Sequence, residues 1–306
     1  MALISFLGGI LSGILIEKLQ KSVFHGMRIR RIEKNKQHWV QSQQITRKQE
    51  KILMDDGREL QGYIYSSDVT PETAPSIIFF HGLGGFAQDY NFEVFLSSLC
   101  LAGYRVFAYD FRASGNSRIA GEPHILKTLS ESFVHRVYQD VPFAFEWVYN
   151  HIGVDQQHIF AIGASFGGSM VLSQLLHEER VGKIIALCAP HDSRVMFEQH
   201  FKQGSFFKRM LYKSVVRHIP DEEAFLTAFH EESPVCQIKE EVSYGNRIFL
   251  AHSKNDNVVL FKENFEHNKF QMRLPDVNCM VFDQGGHEFA GNQAPLMARI
   301  LFWLQN

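Results

Sequence analysis

Residues 158–172 read HIFAIGASFGGSMVL, and within them Gly163-Ala164-Ser165-Phe166-Gly167 matches G-x-S-x-G. An apolar, strand-like run precedes the motif and a helical run follows it. In that setting the two glycines permit a sharp strand-to-helix turn, which holds the serine in a strained backbone with its Oγ exposed. The following helix aims its first amides, and its positive end, at any anion forming beside Ser165. A serine hydroxyl is a poor nucleophile at neutral pH. It needs a base within hydrogen-bond reach, and the base needs a carboxylate to orient it. Two downstream loops offer both groups. His252-Ser253-Lys254-Asn255-Asp256 follows a strand-like run at 247–251, and Asp283-Gln284-Gly285-Gly286-His287 follows another at 279–282. The chain order Ser165, Asp256, His287 suits acyl transfer through a serine, a histidine and an aspartate. Asp283 is the rival acid, but it lies too close to His287 in sequence to face it well.

Such chemistry also needs donors for a developing oxyanion. His81-Gly82-Leu83-Gly84-Gly85 follows the apolar run 77–80, and we expect the N–H groups of Leu83 and Phe166 to fill this role. His81 reads as a residue that orients this loop rather than as a base. Phe86, Phe166, Phe206 and Phe207 are candidates for an apolar substrate pocket. There is no H-E-x-x-H, no clustered Cys/His and no G-x-x-x-x-G-K, so no metal or nucleotide cofactor is expected.

These loops require a particular scaffold. From residue 48 onward, strand-like runs (51–54, 62–65, 76–80, 105–109, 158–162, 183–187, 247–251, 279–282) alternate with helix-like stretches (92–102, 132–149, 167–177, 295–304). That rhythm predicts an α/β fold, a mostly parallel central sheet flanked by helices. Asp55-Asp56-Gly57 predicts an antiparallel hairpin at its start, and Pro142 a kink in the second helix. Residues 191–246 contain no strand and read as a helical lid or cap inserted into a core of 46–190 and 247–306. Its helices are expected at 205–218 and 222–229. In the first, Phe207, Met210, Leu211, Ser214 and Val215 share one face and Lys208, Arg209, Lys213 and Arg217 the other.

The 306-residue chain is 45% hydrophobic and 21% charged, which excludes a disordered chain. Its four cysteines (Cys100, Cys188, Cys236, Cys279) are scattered, with no disulfide framework or zinc spacing. Residues 1–50 hold nine Lys/Arg against three Glu, so an excess of eight negative charges on the rest is needed to reach the total of −2. An acidic body argues against nucleic acid as the partner. Residues 2–16 are uncharged and largely apolar, and a basic cluster from Arg28 to Lys36 follows. We read 1–45 as an N-terminal apolar helix and basic stretch, with 1–24 a membrane anchor that leaves the body on the cytoplasmic side. A helix packed on the protein itself and a cleaved signal peptide are the alternatives, the latter disfavoured because no basic residue precedes the apolar run and no clear A-x-A site follows it.

The matching pieces taken together are His81-Gly82, Asp110-Phe111-Arg112-Ala113-Ser114-Gly115-Asn116-Ser117, the elbow at Ser165, Asp256 two residues before Val258, and Gly286-His287. With these, the sequence resembles the α/β-hydrolase superfamily over about residues 48–306. Through Gly167-Gly168 and the helical cap it is most similar to the monoglyceride lipase, lysophospholipase and serine aminopeptidase group. The family commonly has D-x-R-G-x-G-x-S where this chain has Ala113, so a differently shaped loop is expected there. The resemblance implies a serine hydrolase of carboxylic esters, with lipid-like acyl esters favoured by the anchor and lid. A peptidase or thioesterase on the same three residues, and a non-catalytic membrane-tethered interaction protein, are the alternatives.

Overall fold

The computed structural model describes residues 44–306 except positions 89, 240 and 241. The expected N-terminal helix and anchor lie outside the described residues. Among those described, no helix is long and apolar enough to cross a membrane.

β1 (Ile45–Leu53) and β2 (Glu59–Ser67) form the expected antiparallel hairpin. Its turn is closed by Gly57 N–H donating to the Met54 carbonyl at 3.0 Å. β1 begins well before the expected residue 51. It is a polar edge strand, Ile45-Thr-Arg-Lys-Gln-Glu, whose pairing comes from β2 rather than from apolar alternation. The chain continues through β3 (Ala74–Phe80), α1 (Tyr90–Leu101), β4 (Arg105–Tyr109), α2 (Glu131–Tyr149), β5 (Val154–Ala164), α3 (Phe166–Gln174) and β6 (Lys183–Leu187). The Ser130 hydroxyl caps α2 by accepting from the Phe133 N–H at 3.2 Å, and the helix passes Pro142 as one element.

After β6, residues 191–246 build α4 (Ser193–Val195) with a π turn (Met196–Lys202), α5 (Phe206–Val216), α6 (Glu222–Glu231) and α7 (Pro234–Gln237). β7 (Ile248–Ser253), a second π turn (Lys262–Glu266) running into α8 (His267–Gln271), β8 (Cys279–Phe282) and α9 (Gln293–Gln305) complete the core. The helical turns at 193–202, 234–237 and 262–271 were not expected. They are short and interrupted, and present too few turns for a 3.6-residue period to register.

The eight strands run β1-β2-β4-β3-β5-β6-β7-β8. From β4 to β8 every pairing is parallel. Alternate strand residues feed two cores. Ile78, Phe80, Phe107, Tyr109, Ala161 and Ile184 pack beneath α2, α3 and the inserted helices. Ile77, Phe79, Val106, Ala108, Ile162 and Ile185 pack beneath α1 and α9. Helices on both faces explain why these strands read as short continuous apolar runs.

The fold therefore delivers β3, β5, β7 and β8 side by side or nearly so, with the loops after their carboxyl ends at one edge. In open α/β sheets, ligands bind at that edge.

Candidate active site

Ser165 sits between β5 and α3 with φ 55° and ψ −119°, a conformation side-chain-bearing residues rarely adopt. The turn is this sharp because its neighbours lack side chains. A Cβ on Gly163 would lie 2.1 Å from the Gly167 carbonyl oxygen, and one on Gly167 would lie 2.2 Å from that of Phe80. The Ser165 N–H donates to the Leu187 carbonyl at 2.7 Å, which pins the elbow to β6.

Asp256 and His287, 31 residues apart, are brought into contact, with His287 Nδ1 2.7 Å from Asp256 Oδ2. The other carboxylate oxygen accepts from the Val258 and Val259 N–H groups at 2.8 and 3.0 Å. Burial opposes the charge on Asp256, but hydrogen bonds from His252 and His287 outweigh it and hold the carboxyl well below its ordinary range. The two loops are tied together, since the Gly286 N–H donates to Asn255 Oδ1 at 2.8 Å and Asn255 Nδ2 to Gln284 Oε1 at 2.8 Å. Asp283 points outward to Lys254 at 2.7 Å. Among the described residues Ser165 Oγ has no hydrogen-bond partner, His287 included. Catalytic bonds of this kind are often long without substrate and tighten with it.

Two groups around Asp256 escaped the sequence reading. His252 Nε2 lies 2.8 Å from the Val259 carbonyl oxygen and 3.3 Å from Asp256 Oδ2. Both neighbours are acceptors, so Nε2 carries a proton. His252 is thus a second imidazole on the same carboxylate, four residues before it at the end of β7. Cys188, at the end of β6, donates from Sγ to the His287 carbonyl at 3.2 Å. Cys188, Asp256 and His287 place ligand-type atoms within 4.8 Å of one another. Burial and the charge of Asp256 push the pKa of this thiol well above its ordinary value.

The loop after β3 abuts the elbow, for a Cβ on Gly82 would sit 3.5 Å from that of Ser165. His81 shapes this loop. Its Nδ1 donates to the Gly82 carbonyl at 2.8 Å, and its Nε2 accepts from the Phe111 N–H at 3.1 Å, which sets the tautomer. Neither the Leu83 nor the Phe166 amide donates to an acceptor among the described residues, so both remain available. Asp110 is buried, bonded to the Ala87 and Asn116 amides and to the Tyr63 hydroxyl at 2.6, 2.8 and 3.0 Å. Arg112 grips Asp140, with Nε 2.6 Å from Oδ2. Both tie loops together. Ala113 takes φ 59°, so the alanine keeps the left-handed shape a glycine would have there.

The aromatic candidates part company. The Phe166 ring turns under the elbow against Phe111, Tyr138 and Phe229. Phe86 is partly exposed and Phe206 faces outward, 64% exposed. The side chain of Phe207 lies outside the described residues. A groove of about 830 Å³ between β1 and the end of α2 includes none of Ser165, Asp256 or His287. The convergence of chemical groups, rather than groove size, marks the site.

Several known proteins share this architecture. An esterase from Pyrococcus furiosus is 19% identical with a TM-score of 0.63, covering 85% of this chain and 91% of that one. An acylaminoacyl peptidase from Pyrococcus horikoshii is 17% identical with a TM-score of 0.62, covering 86% of this chain and 41% of that one. At such identity the likeness is one of fold. The quorum-quenching protein AidA of Acinetobacter baumannii is 26% identical over 126 residues, or 41% of this chain. That stretch spans only 38% of the relative's own length. A family model described as alpha/beta hydrolase fold matches residues 75–233, a span that holds Ser165 and stops before Asp256 and His287. With that match over half of its length and the sheet order above, the chain belongs to the alpha/beta hydrolase fold family.

Proposed function

We propose that the protein is a serine hydrolase of carboxylic esters, acting on lipid-like acyl esters. The observation that carries this reading is the strained Ser165 elbow on the same sheet edge as the 2.7 Å His287–Asp256 pair. In this mechanism Ser165 Oγ attacks the acyl carbonyl while His287 Nε2 takes its proton. Asp256, bonded to Nδ1, holds the ring and stabilises the imidazolium. The Leu83 and Phe166 amides receive the oxyanion; losing one such donor typically costs about a hundred- to thousandfold in turnover. His287 returns the proton to the leaving alkoxide, and water releases the acyl group by the same steps in reverse order. Helices of residues 191–246 serve as the lid over this edge, and residues 1–24 as a membrane anchor.

The test is hydrolysis of a p-nitrophenyl ester series from acetate to palmitate by wild type and Ser165→Ala. Serine-dependent activity peaking at medium or long chains supports the reading. Activity confined to the shortest esters favours the peptidase or thioesterase alternative. Full activity in Ser165→Ala refutes the mechanism. No turnover, with no labelling of Ser165 by a fluorophosphonate probe, favours a non-catalytic interaction protein.

A further inference from the structure

Residues 199–220 contain five Lys/Arg and no Asp/Glu, a local reversal of sign in an otherwise acidic body. α5 lies within this stretch. Phe206, Arg209, Met210, Lys213 and Arg217 follow one another at spacings that put them on one helical face about 100° wide. All five are exposed, Phe206 by 64% and Met210 by 55%. Tyr212 and Val215, on the opposite side, are buried. The helix is therefore rolled relative to its sequence pattern: Met210, expected to face inward with Val215, stands outside among the cations. Neither Arg209 nor Lys213 has a carboxylate partner among the described residues. Lys202, just before the helix, is neutralised by Glu222 at 2.6 Å.

The position of this face matters as much as its chemistry. On the inner side of α5, Lys208 Nζ donates to the Asn257 carbonyl at 3.0 Å, one residue past Asp256. The helix thus stands at the rim of the candidate active site. Two large exposed apolar side chains among cations that have no carboxylate partner among the described residues suit a fluid, anionic, amphipathic surface. An acidic protein partner would match the cations but leave Phe206 and Met210 without a shaped pocket.

We propose that the outer face of α5 docks on an anionic phospholipid bilayer, with Phe206 and Met210 entering the headgroup–acyl boundary and Arg209, Lys213 and Arg217 among the phosphates. The proposal concerns residues of α5 only. It goes beyond the hydrolase reading and stands or falls without it, because binding is measured on protein carrying Ser165→Ala.

The test is co-sedimentation of the full chain with phosphatidylcholine vesicles, with and without phosphatidylserine. Three proteins are compared, each carrying Ser165→Ala: the parent, Arg209→Glu/Lys213→Glu and Phe206→Ser/Met210→Ser. All four substituted positions are exposed, and thermal unfolding checks that each variant is folded. The parent should prefer phosphatidylserine vesicles and lose affinity as salt rises. Each cation near such a surface is worth about fivefold, so the charge-reversed variant should bind at least about thirtyfold more weakly. The serine variant should bind more weakly while keeping the salt dependence. Equal binding by the parent and the charge-reversed variant overturns the proposal, because another segment then holds the membrane. Absence of parent binding, or equal binding to both vesicle types, overturns it as well.

Discussion

His81 offers a quantitative test of how the loop beside Ser165 is held. It is fully buried between β3 and the Asp110 loop, and burial pushes its pKa down from 6.5 to about 4. Both ring nitrogens are already committed in the neutral form, Nδ1 as donor to Gly82 and Nε2 as acceptor from Phe111. Protonation would turn the acceptor into a donor facing a donor. Between pH 4 and 6.5 the unfolded chain therefore binds one more proton at this position than the folded one. Stability must rise with pH across that window and be lost as pH falls through it. Each pH unit is worth about 1.36 kcal/mol, so the full window amounts to about 3 kcal/mol. Asp256 acts in the same direction but below the unfolded carboxylate range, so the two effects separate on the pH axis. The perturbation is His81→Asn, which keeps a donor near Gly82 and removes the titration. The orphaned Phe111 amide lowers stability by about 1–3 kcal/mol at every pH. The assay is urea unfolding at half-unit steps from pH 4 to 7. The wild-type curve should be steeper than the variant's by about 3 kcal/mol over the window. Parallel curves would refute the argument and show that His81 is not buried neutral.

Two further substitutions test the geometry of the elbow and of the acid. Gly167→Ala would place a Cβ 2.2 Å from the Phe80 carbonyl oxygen, in backbone that cannot rotate away. It should destabilise by about 3 kcal/mol, read as a lowered urea midpoint; an unchanged midpoint would show that the elbow is looser than described. His252→Leu removes the single Nε2–H donor that Asp256 and the Val259 carbonyl share. A hydrogen bond to a charged group is worth about 1.5–3 kcal/mol, so kcat should fall about tenfold or more with KM unchanged. His252→Gln, which keeps a donor at that reach, should recover most of it. A loss that Gln does not rescue would mean the ring only fills space between Phe261 and Phe265.

Much of this protein is local in origin. Gly163, Ser165 and Gly167 mark the elbow within five consecutive residues; the contact that forbids a Cβ on Gly163 is local, with Gly167, whereas the one that forbids a Cβ on Gly167 comes from Phe80 on β3. The strand runs at 76–80, 105–109 and 183–187 are legible too: burial on both faces leaves a run of apolar residues bounded by polar loops. β1 is not legible this way. Its residues are polar at the sheet edge, and only pairing with β2 makes them a strand.

The pairings that shape the candidate site lie beyond any local rule. That Asp256 meets His287 while Asp283 meets Lys254 depends on β7 lying beside β8, a property of sheet order. The same adjacency, with β6 on the other side, brings Cys188 against His287. His252 precedes Asp256 by four residues, yet only the turn after β7, folding Val258 and Val259 back over the carboxylate, aims its ring at the acid. The roll of α5 is of this kind too. Helical periodicity arranges residues around an axis, but packing of Tyr212 and Val215 into the core chooses which side of the helix meets water. Residue type and spacing thus determined which chemical groups this chain carries and the elements that bear them. Tertiary packing decided which of those groups touch, because contact between distant residues is set by strand order and by the burial of whole faces.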